Sequence, residues 1–459
     1  MKVERLAFVA CTVTLVSFVV APRVAAAQEA VIAEVISDDS TTADGVALIE
    51  GRGLELSPGV VFHPALSVEG GFNDNVFYQE EDEDPTSAGM MRVVGRLHIS
   101  NFKDRADDLG DVEDPDTGAE LTPRSVEFRG GVRAAYQEYL NGGEEVRSQR
   151  NLNLDAIADM TLLPAGPVSF IVRDKFLRQQ RSPNFEDEST LERDDNRAWV
   201  GIRLQPVGKT IGTTLHYENW IHFFEDRPAQ FANRMNHTIG WLTEFQWRPF
   251  TKLSADVSYG FYGPMGGDSE LGGMPFKTKS NPFRIVGGMS TLLTEATTLK
   301  LYGGYARAGY DVGQGYSAPV AGGELGIRWS ETGRFVALYG YDNYDSFNAN
   351  FFRDHTLAAK FIQRINFAVL DGGPEIRFRK FGGIPTVLGD PERKDLVVSG
   401  TARLQFVIAE KFNISAQYRL SMVDTDYLAK IIDDMGMSFG TDNPSYIRNE
   451  VSLGVGVAY

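Results

Sequence analysis

Cysteine is almost absent from this sequence, with one residue among 459, and that residue falls within an N-terminal apolar stretch. Lys2 and Arg5 precede the apolar run over 6–21, and three alanines at 25–27 follow it. This order is typical of a secretory signal peptide that is cleaved after a small residue. We therefore predict a signal peptide over 1–27 and a mature chain that folds without a disulfide. The alternative is a retained membrane anchor.

Long apolar runs and an excess of basic residues are also missing. Beyond the predicted signal peptide no run of about 18 apolar residues occurs, so the sequence predicts no transmembrane helix. The net charge of the full chain is −17. Such an acidic chain repels phosphate backbones, so we expect no nucleic acid among its partners.

Motifs of enzyme chemistry are absent as well. The six histidines include no H-E-x-x-H spacing, and the sequence has no G-x-S-x-G elbow, Walker A loop or dinucleotide fingerprint. We therefore expect no enzyme activity, no catalytic residue, no metal and no cofactor. A hydrolase with a serine and a histidine on a barrel wall is the alternative.

The dominant pattern is an alternation of apolar and polar residues. It runs through stretches such as TIGTTLHYENWIHFF at 210–224 and DLVVSGTARLQFVI at 395–408. Such stretches are longer than ordinary soluble strands and suit tilted strands that cross a bilayer, which need about 9 to 11 residues in the hydrocarbon. The sequence predicts an all-β fold, a transmembrane antiparallel β-barrel of about 18 strands, with 16 as the alternative count. A soluble β-sandwich or propeller is the competing interpretation.

Short and long connections alternate along the chain. QPVGK at 205–209 and SETGR at 330–334 are short, whereas the segments at 178–195 and 423–445 are long and polar. Short turns at one end and long loops at the other are typical of outer-membrane barrels. The acidic segment over 104–124 breaks this rule. Acidic loops such as QEEDED at 79–84 are ordinarily solvated, and the alternative is that divalent cations bridge them to lipopolysaccharide.

The predicted organisation has three parts: the signal peptide, a short periplasmic segment over 28–57, and the barrel over 58–459. The predicted location is the cell outer membrane. Aromatic residues near strand ends, such as Trp247, Trp329 and Tyr459, favour this location because aromatic girdles mark membrane interfaces.

If the apolar faces meet lipid, the opposite faces line the interior. Alternation then predicts a set of pore-lining residues that carries both signs of charge and several aromatic rings. These are Arg129, Arg133, Arg203, Arg284, Arg328, Arg377, Arg403, Arg419, Glu218, Glu244, Asp256, Glu324, Trp199, Trp220, Tyr262 and Tyr302. One interpretation is a basic constriction for anionic or sugar solutes. The other is that the charges pair across strands and stiffen the wall.

The last strand, NEVSLGVGVAY, has the same alternation and ends on an aromatic residue. We predict that its apolar residues face lipid and form the signal that barrel-assembly machinery recognises. These residues are Val451, Leu453, Val455, Val457 and Tyr459.

The start of the barrel resembles a known bacterial family. Pro58, Leu66, Val68 and Gly71, followed by the run NDNVF at 73–77, resemble the first strand and loop of the putative beta-barrel porin type 2 family. Members of that family commonly end on Phe or Trp, and this chain ends on Tyr. The resemblance implies an outer-membrane exit pore for a secreted polysaccharide that acts with a periplasmic export protein.

The alternatives for function are a passive diffusion porin for small sugars or anions and, from another class, a structural or adhesive surface barrel. The expected partners are outer-membrane lipid and lipopolysaccharide, the barrel-assembly machinery and the periplasmic export protein.

Overall fold

The computed structural model of the chain describes residues 53–80, 84–101, 125–180, 192–206, 210–225, 230, 232–265, 270–271, 274–275, 279–384, 392–408, 411–432 and 438–459. The predicted signal peptide, most of the segment at 28–57 and the acidic segment at 104–124 lie outside these ranges. One short helix, α1, spans Glu144–Ser148 in the described part of the chain.

The alternating stretches form strands, and those of the barrel are 12 to 15 residues long. The first ten strands are β1 Leu54–Ser57, β2 Val60–Asn73, β3 Ala88–Ser100, β4 Val126–Tyr139, β5 Asn151–Leu162, β6 Val168–Gln180, β7 Glu192–Leu204, β8 Ile211–Phe224, β9 Arg234–Arg248 and β10 Thr251–Pro264. The next seven are β11 Glu270–Leu271, β12 Met274–Pro275, β13 Phe283–Thr294, β14 Thr297–Ala308, β15 Tyr316–Ser330, β16 Gly333–Asp345 and β17 Phe351–Ile365. The last six are β18 Ala368–Gly382, β19 Lys394–Ile408, β20 Phe412–Thr425, β21 Ala429–Ile432, β22 Ser438–Asp442 and β23 Tyr446–Ala458.

Eighteen of these strands form one closed antiparallel ring, which confirms the predicted fold and strand count. Each barrel strand pairs with the next one along the chain, and β23 pairs with β2 to close the ring, with Ala65 opposite Ala458 and Asn73 opposite Glu450. Strands β11 with β12 and β21 with β22 form two small hairpins outside the ring, and β1 folds back on β2. A closed ring leaves no strand edge unpaired, as a spanning sheet requires.

The two ends of the barrel differ. At the short-turn end, β9 joins β10 through residues 249–250, β15 joins β16 through 331–332 and β17 joins β18 through 366–367. At the opposite end, here called the loop end, β10 and β13 are separated by 265–282, and β20 and β23 by 426–445. Strand β2 begins and β23 finishes at the short-turn end, as an even strand count requires.

The run NDNVF lies at the loop end, where it ties the first barrel strand to the last. The Asp74 carboxylate accepts hydrogen bonds from the backbone N–H and the side-chain Nδ2 of Asn449, both at 2.6 Å. Nδ2 of Asn75 donates to the carbonyl oxygen of Ile447 at 3.0 Å. Val76 is buried against Met90 and other apolar side chains. We call Asp74 and Asn75, with their partners on β23, the latch.

A buried ion network lies on the inner face beside the same pair of strands. The Arg92 side chain is 2% exposed, and its guanidinium contacts Glu69 at 3.2 Å and Glu450 at 3.1 Å. It also donates to Oε1 of Gln137 at 2.6 Å. A Cβ atom at Gly454 would lie 2.9 Å from Cγ of Glu69, so the bare inner face of β23 makes room for this network. We call Glu69, Arg92 and Glu450 the seam network.

Candidate functional site: the inner wall of the barrel

The outer face of the ring is apolar. Leu453 is 64% exposed and Val455 is 59% exposed, while Ser452 between these residues is buried on the inner side. Val451 and Tyr459 are also exposed, and Val457 lies on the same outer face. The five residues predicted as the assembly signal therefore share the outer face; their recognition by assembly machinery stays a prediction. Exposed aromatic residues at the short-turn end, Trp247, Phe250, Trp329, Phe367 and Phe412 among them, form the band expected at a membrane interface.

All sixteen residues predicted to line the pore lie on the inner face. Each alternates with outward neighbours, as Arg203 does between the exposed residues Ile202 and Leu204, and Glu218 does after the exposed residue Tyr217. Their part in passing a solute stays a prediction. The strand period of two explains the agreement, because it places every second side chain on the same side.

Most of the inward cations contact carboxylates on the same or another strand. The ion pairs are Arg129–Asp159 (2.5 Å), Arg197–Glu218 (2.9 Å), Arg203–Glu244 (3.5 Å), Arg284–Asp342 (2.7 Å), Lys300–Glu324 (3.2 Å), Arg403–Asp371 (2.8 Å), Arg419–Glu450 (3.9 Å) and Arg377–Glu375. Arg133 stands opposite Asp155 in the strand register. These pairs correspond to the interpretation in which the charges pair and stiffen the wall, and a basic constriction for solutes stays a prediction.

Aromatic rings lie against the inner wall beside these pairs. Trp199 stacks on His216 with ring centroids 5.2 Å apart, and the Arg173 guanidinium lies 5.3 Å from the Trp199 ring. Glycine on the same face leaves space for the rings. A Cβ atom would come 2.4 Å from Trp199 at Gly201 and 2.5 Å from Tyr302 at Gly322. These glycines permit flat rings along the interior.

Nearer the loop end, Arg197 lies over the ring of Trp220, with its guanidinium carbon 5.6 Å from the ring centroid. The Trp220 ring in turn lies 4.1 Å from that of His222. His216 and His222 thus lie on the same inward face of β8, and each contacts a tryptophan ring. No group of three or more His, Cys, Asp or Glu side chains in the described ranges is arranged to hold a metal ion.

The interior narrows at the loop end because the connection at 346–350 folds inward. Phe347 packs on Phe224 of β8 with ring centroids 5.0 Å apart, although β8 and β16 are not neighbours in the ring. Arg234 of β9 donates to the carbonyl oxygen of Ser346 at 3.1 Å and forms an ion pair with Asp345. Alternation does not reveal contacts of this kind, because they join strands that are distant in the ring.

A second cluster fills the interior next to this connection. It comprises Ala349, Phe352, Phe381, Ile384 and Tyr427, all buried. The guanidinium carbon of Arg379 lies 3.9 Å from the centroid of the Phe352 ring and that of Arg393 lies 4.4 Å from the Phe381 ring, so cations pack on its aromatic faces.

A cavity of about 260 Å³ remains at the loop end beside these contacts. Tyr310, from the connection at 309–315, lies over it and donates its hydroxyl hydrogen to the carbonyl oxygen of Asn350 at 2.8 Å. Burial raises the pKa of the Tyr310 hydroxyl well above its usual value, so this group stays neutral at any physiological pH.

The short-turn end carries a basic group, defined here as Arg328, Arg334, Lys360 and Arg364. Arg328 stands directly opposite Arg334 in the register of β15 and β16, and both face inward. Within the described residues, neither Arg328 nor Lys360 has a carboxylate at ion-pair distance. Arg334 and Arg364 are not among the residues predicted from the sequence to line the pore. Their alternation with the apolar residues Phe335 and Ile365 is the signal that could have identified them.

Three solved structures illustrate what the chain is similar to. They are OccAB4 of Acinetobacter baumannii (9% identity, TM-score 0.42, over 87% of this chain and 98% of that one), OpdK of Pseudomonas aeruginosa with vanillate (8%, 0.43, 87% and 99%) and the FrpB iron transporter of Neisseria meningitidis (9%, 0.39, 86% and 81%). No protein-family profile and no curated protein matches the chain. TM-scores this low carry no inference about function.

The assignment of the barrel therefore depends on its own geometry. No helix in the described part of the chain is long and apolar enough to cross a membrane. The ring of 18 strands has an apolar outer face, an interfacial aromatic band, short turns at one end and long loops at the other. This combination is that of a β-barrel of the bacterial outer membrane.

Proposed function

We propose that the protein is a passive diffusion channel of the outer membrane for small sugars or small anions. The observation that carries the proposal is the inner wall: a closed ring of 18 strands that is apolar outside and lined by charged, polar and aromatic side chains inside. Barrels of 16 to 18 strands leave an aqueous interior. Ions and hydroxylated solutes can cross the membrane through a water-filled interior, whereas the lipid bilayer excludes them.

The narrowed loop end favours small solutes over a polymer. The contact between Phe347 and Phe224, together with the cluster around Phe352, occupies part of the interior, and a polysaccharide would have to displace both. An exit pore for a secreted polysaccharide, acting with a periplasmic export protein, is the second candidate. The resemblance of residues 58–77 to the porin type 2 family supports it.

The basic group at the short-turn end favours anions among small solutes. Arg328, Arg334, Lys360 and Arg364 face the interior within three adjacent strands. Cationic rings in a pore raise the local concentration of anions and repel cations. The channel is therefore expected to be anion-selective at low salt.

The remaining parts of the proposal concern the surroundings of the barrel. The outer face, including β23, would meet lipid and lipopolysaccharide, and the apolar face of β23 would be the part read by barrel-assembly machinery. No catalytic step is assigned to the protein, and no cofactor or nucleic acid is needed for diffusion through a wet interior.

Conductance in planar lipid bilayers tests the proposal. The purified barrel is expected to give discrete steps of conductance without any partner, with a reversal potential that indicates anion preference. Conductance that appears only after a periplasmic export protein is added would favour the exit pore instead. A correctly folded barrel that never conducts would contradict both channels and favour a structural or adhesive role.

A further inference from the structure

A row of cations lies on the outer face of the barrel at the loop end. In the strand register Arg353 of β17 stands directly opposite Lys380 of β18, and Lys380 stands directly opposite Lys394 of β19. The two lysine side chains are 62% and 63% exposed. We call Arg353, Lys380 and Lys394 the outer basic row. Like charges directly opposite each other destabilise a sheet, so strand pairing alone does not explain the row.

The side chains next to the row indicate that it lies at the level of the lipid headgroups. The next outward-facing row toward the middle of the strands contains the rings of Tyr341, His355 and Phe378, and the one after it contains Leu357 and Ile376. This order of charge, ring and aliphatic side chain is typical of a barrel surface where it leaves the hydrocarbon. Because the long loops of such barrels are extracellular, the row faces the outer leaflet.

The row borders an open groove of about 550 Å³ in which Arg353 has a fixed orientation. Nε of Arg353 donates to Oδ1 of Asn343 at 2.9 Å, and the guanidinium carbon lies 5.9 Å from the centroid of the Tyr341 ring. These contacts leave the two Nη nitrogens of Arg353 without a hydrogen-bond partner among the described residues. An arginine fork held in this way matches two oxygens of a phosphate group.

Three carboxylates lie near the row and do not neutralise it firmly. Glu392 contacts Lys394 at 2.6 Å and Lys380 at 4.0 Å, but Glu392 is 61% exposed, and ion pairs between such exposed groups are weak. Asp424 and Asp426 are exposed at the β20 side of the groove and, in the described part of the chain, lie beyond ion-pair distance of the three cations. The row is therefore available to an anion that binds more strongly.

We propose that the outer basic row binds the phosphate groups of a phosphorylated glycolipid of the outer leaflet, the lipopolysaccharide expected around this barrel. The Nη nitrogens of Arg353 and the ammonium groups of Lys380 and Lys394 donate to the phosphate oxygens, and the acyl chains lie along the apolar surface beside the row. The full chain has a net charge of −17 and repels anionic lipids as a whole, so binding that depends on phosphate requires a local set of cations.

The test uses the purified barrel in detergent, with lipid A that carries two phosphate groups as the probe and fully dephosphorylated lipid A as its counterpart. Native mass spectrometry follows the binding of each lipid. Arg353→Gln and Lys380→Gln are each expected to weaken binding of the phosphorylated lipid about fivefold, the contribution of one cation near a membrane surface. The double variant should lose more than either single variant. The dephosphorylated lipid should bind more weakly than the phosphorylated one, and equally to all these proteins.

Arg307→Gln is the matched control. Arg307 is also an exposed, outward-facing cation at the loop end, but its neighbours in the register are the uncharged residues Phe283 and Ser317. This variant should leave lipid binding unchanged. An equal loss of binding in Arg307→Gln would overturn the site in favour of a general attraction by surface charge. Equal affinity of the wild-type protein for the two lipids would overturn the recognition of phosphate.

Two further measurements separate a lipid from free phosphate and a binding role from a structural one. Millimolar inorganic phosphate should not displace the lipid, because the acyl chains contribute much of its affinity. Displacement would overturn the lipid in favour of free phosphate as the occupant. In lipid-free detergent both glutamine variants should resist urea at least as well as the wild-type protein, because they relieve repulsion between like charges. A loss of stability there would assign the row to the fold instead of to a ligand.

The site and the proposed channel are tested independently, because the outer basic row lies outside the lumen. Conductance and ion selectivity should be the same in the wild-type protein and in both glutamine variants. A folded barrel that never conducts but binds phosphorylated lipid A through the row would contradict the channel and support the site. A conducting barrel that does not bind this lipid would support the channel and overturn the site.

Discussion

The seam network and the basic group both place arginine side chains on the inner wall, yet these arginines differ in burial and in pairing. Arg92 is 2% exposed and contacts Glu69 and Glu450. Arg328 is half-buried, faces Arg334 across the strand pair and has no carboxylate at ion-pair distance in the described residues. Arg92 and Arg328 therefore lie on the same side of the wall, but their physical roles differ.

The charges of the seam network are removed from water, whereas those of the basic group face water. A charge buried beside its counter-charges is costly to leave alone, so the seam network holds strands together and its removal should affect folding. Charges that face water inside the barrel act on passing ions, and removal of such a charge should change selectivity and leave folding intact. The predictions below separate these two outcomes, from the largest expected effect to the smallest.

Arg92→Met is expected to cost about 3 to 5 kcal/mol of unfolding free energy, because two buried carboxylates lose a shared cation. The loss is measured by urea unfolding in detergent. The folded fraction is read from the heat-dependent shift of the barrel on gels. Arg403→Met is the control, since its pair with Asp371 is about one-fifth exposed. Equal losses in the two variants would contradict the distinction based on burial.

Asp74→Ala in the latch is expected to cost about 1.5 to 3 kcal/mol, the range for hydrogen bonds to a charged group. The same unfolding measurement applies, and it should show a smaller loss than Arg92→Met. Asp311→Ala, in an exposed part of the connection at 309–315, serves as the control and should be neutral. A neutral Asp74→Ala would mean that the latch does not stabilise the ring.

The double variant Arg328→Glu and Lys360→Glu is expected to lower the anion preference severalfold without loss of stability. Reversal potentials in a salt gradient measure this, and the effect should fade near 1 M salt, where the screening length is about 3 Å. Lys394→Glu is the matched control, because Lys394 lies on the outer face near the loop end and is 63% exposed. Unchanged selectivity in the double variant would remove the basic group from the proposed function.

Tyr459→Ala is expected to have the smallest effect on the purified barrel. The loss should be at most about 1 kcal/mol, because the Lys411 ammonium lies 4.4 Å from the ring centroid at an exposed site. Insertion in cells should fall by more than this value implies if the terminal residue is an assembly signal, and Tyr459→Phe should restore it. Equal insertion of all three proteins would contradict the role in assembly.

Alternation placed every candidate on the inner side of its strand, where the structure also has it, because a strand has only two faces and a closed ring keeps one of them inside. The part of these residues in passing a solute stays a prediction. It could not predict partners. Arg419 and Glu450 meet because β20 and β23 are adjacent in the ring, although residues 426–445 separate them along the chain. Phe347 and Phe224 meet because a loop folds inward, which no period in the sequence encodes.

The sequence therefore indicated which residues face the interior, but not how these residues are arranged around the cavity. Trp220 and Tyr262 were assigned to the interior from sequence, whereas the cavity that both residues line exists only because connections at the loop end cover it.

The latch has a consequence for the order of events during barrel formation. The first loop of the barrel carries the groups that bind the last strand, so the carboxylate of Asp74 stays without Asn449 until β23 arrives. In an incomplete ring water would solvate this carboxylate in place of Asn449, and two strand edges would lie bare. The hydrogen bonds of the latch therefore form in the same step that closes the ring, so the two ends of the barrel are joined both by the strand ladder and by a loop.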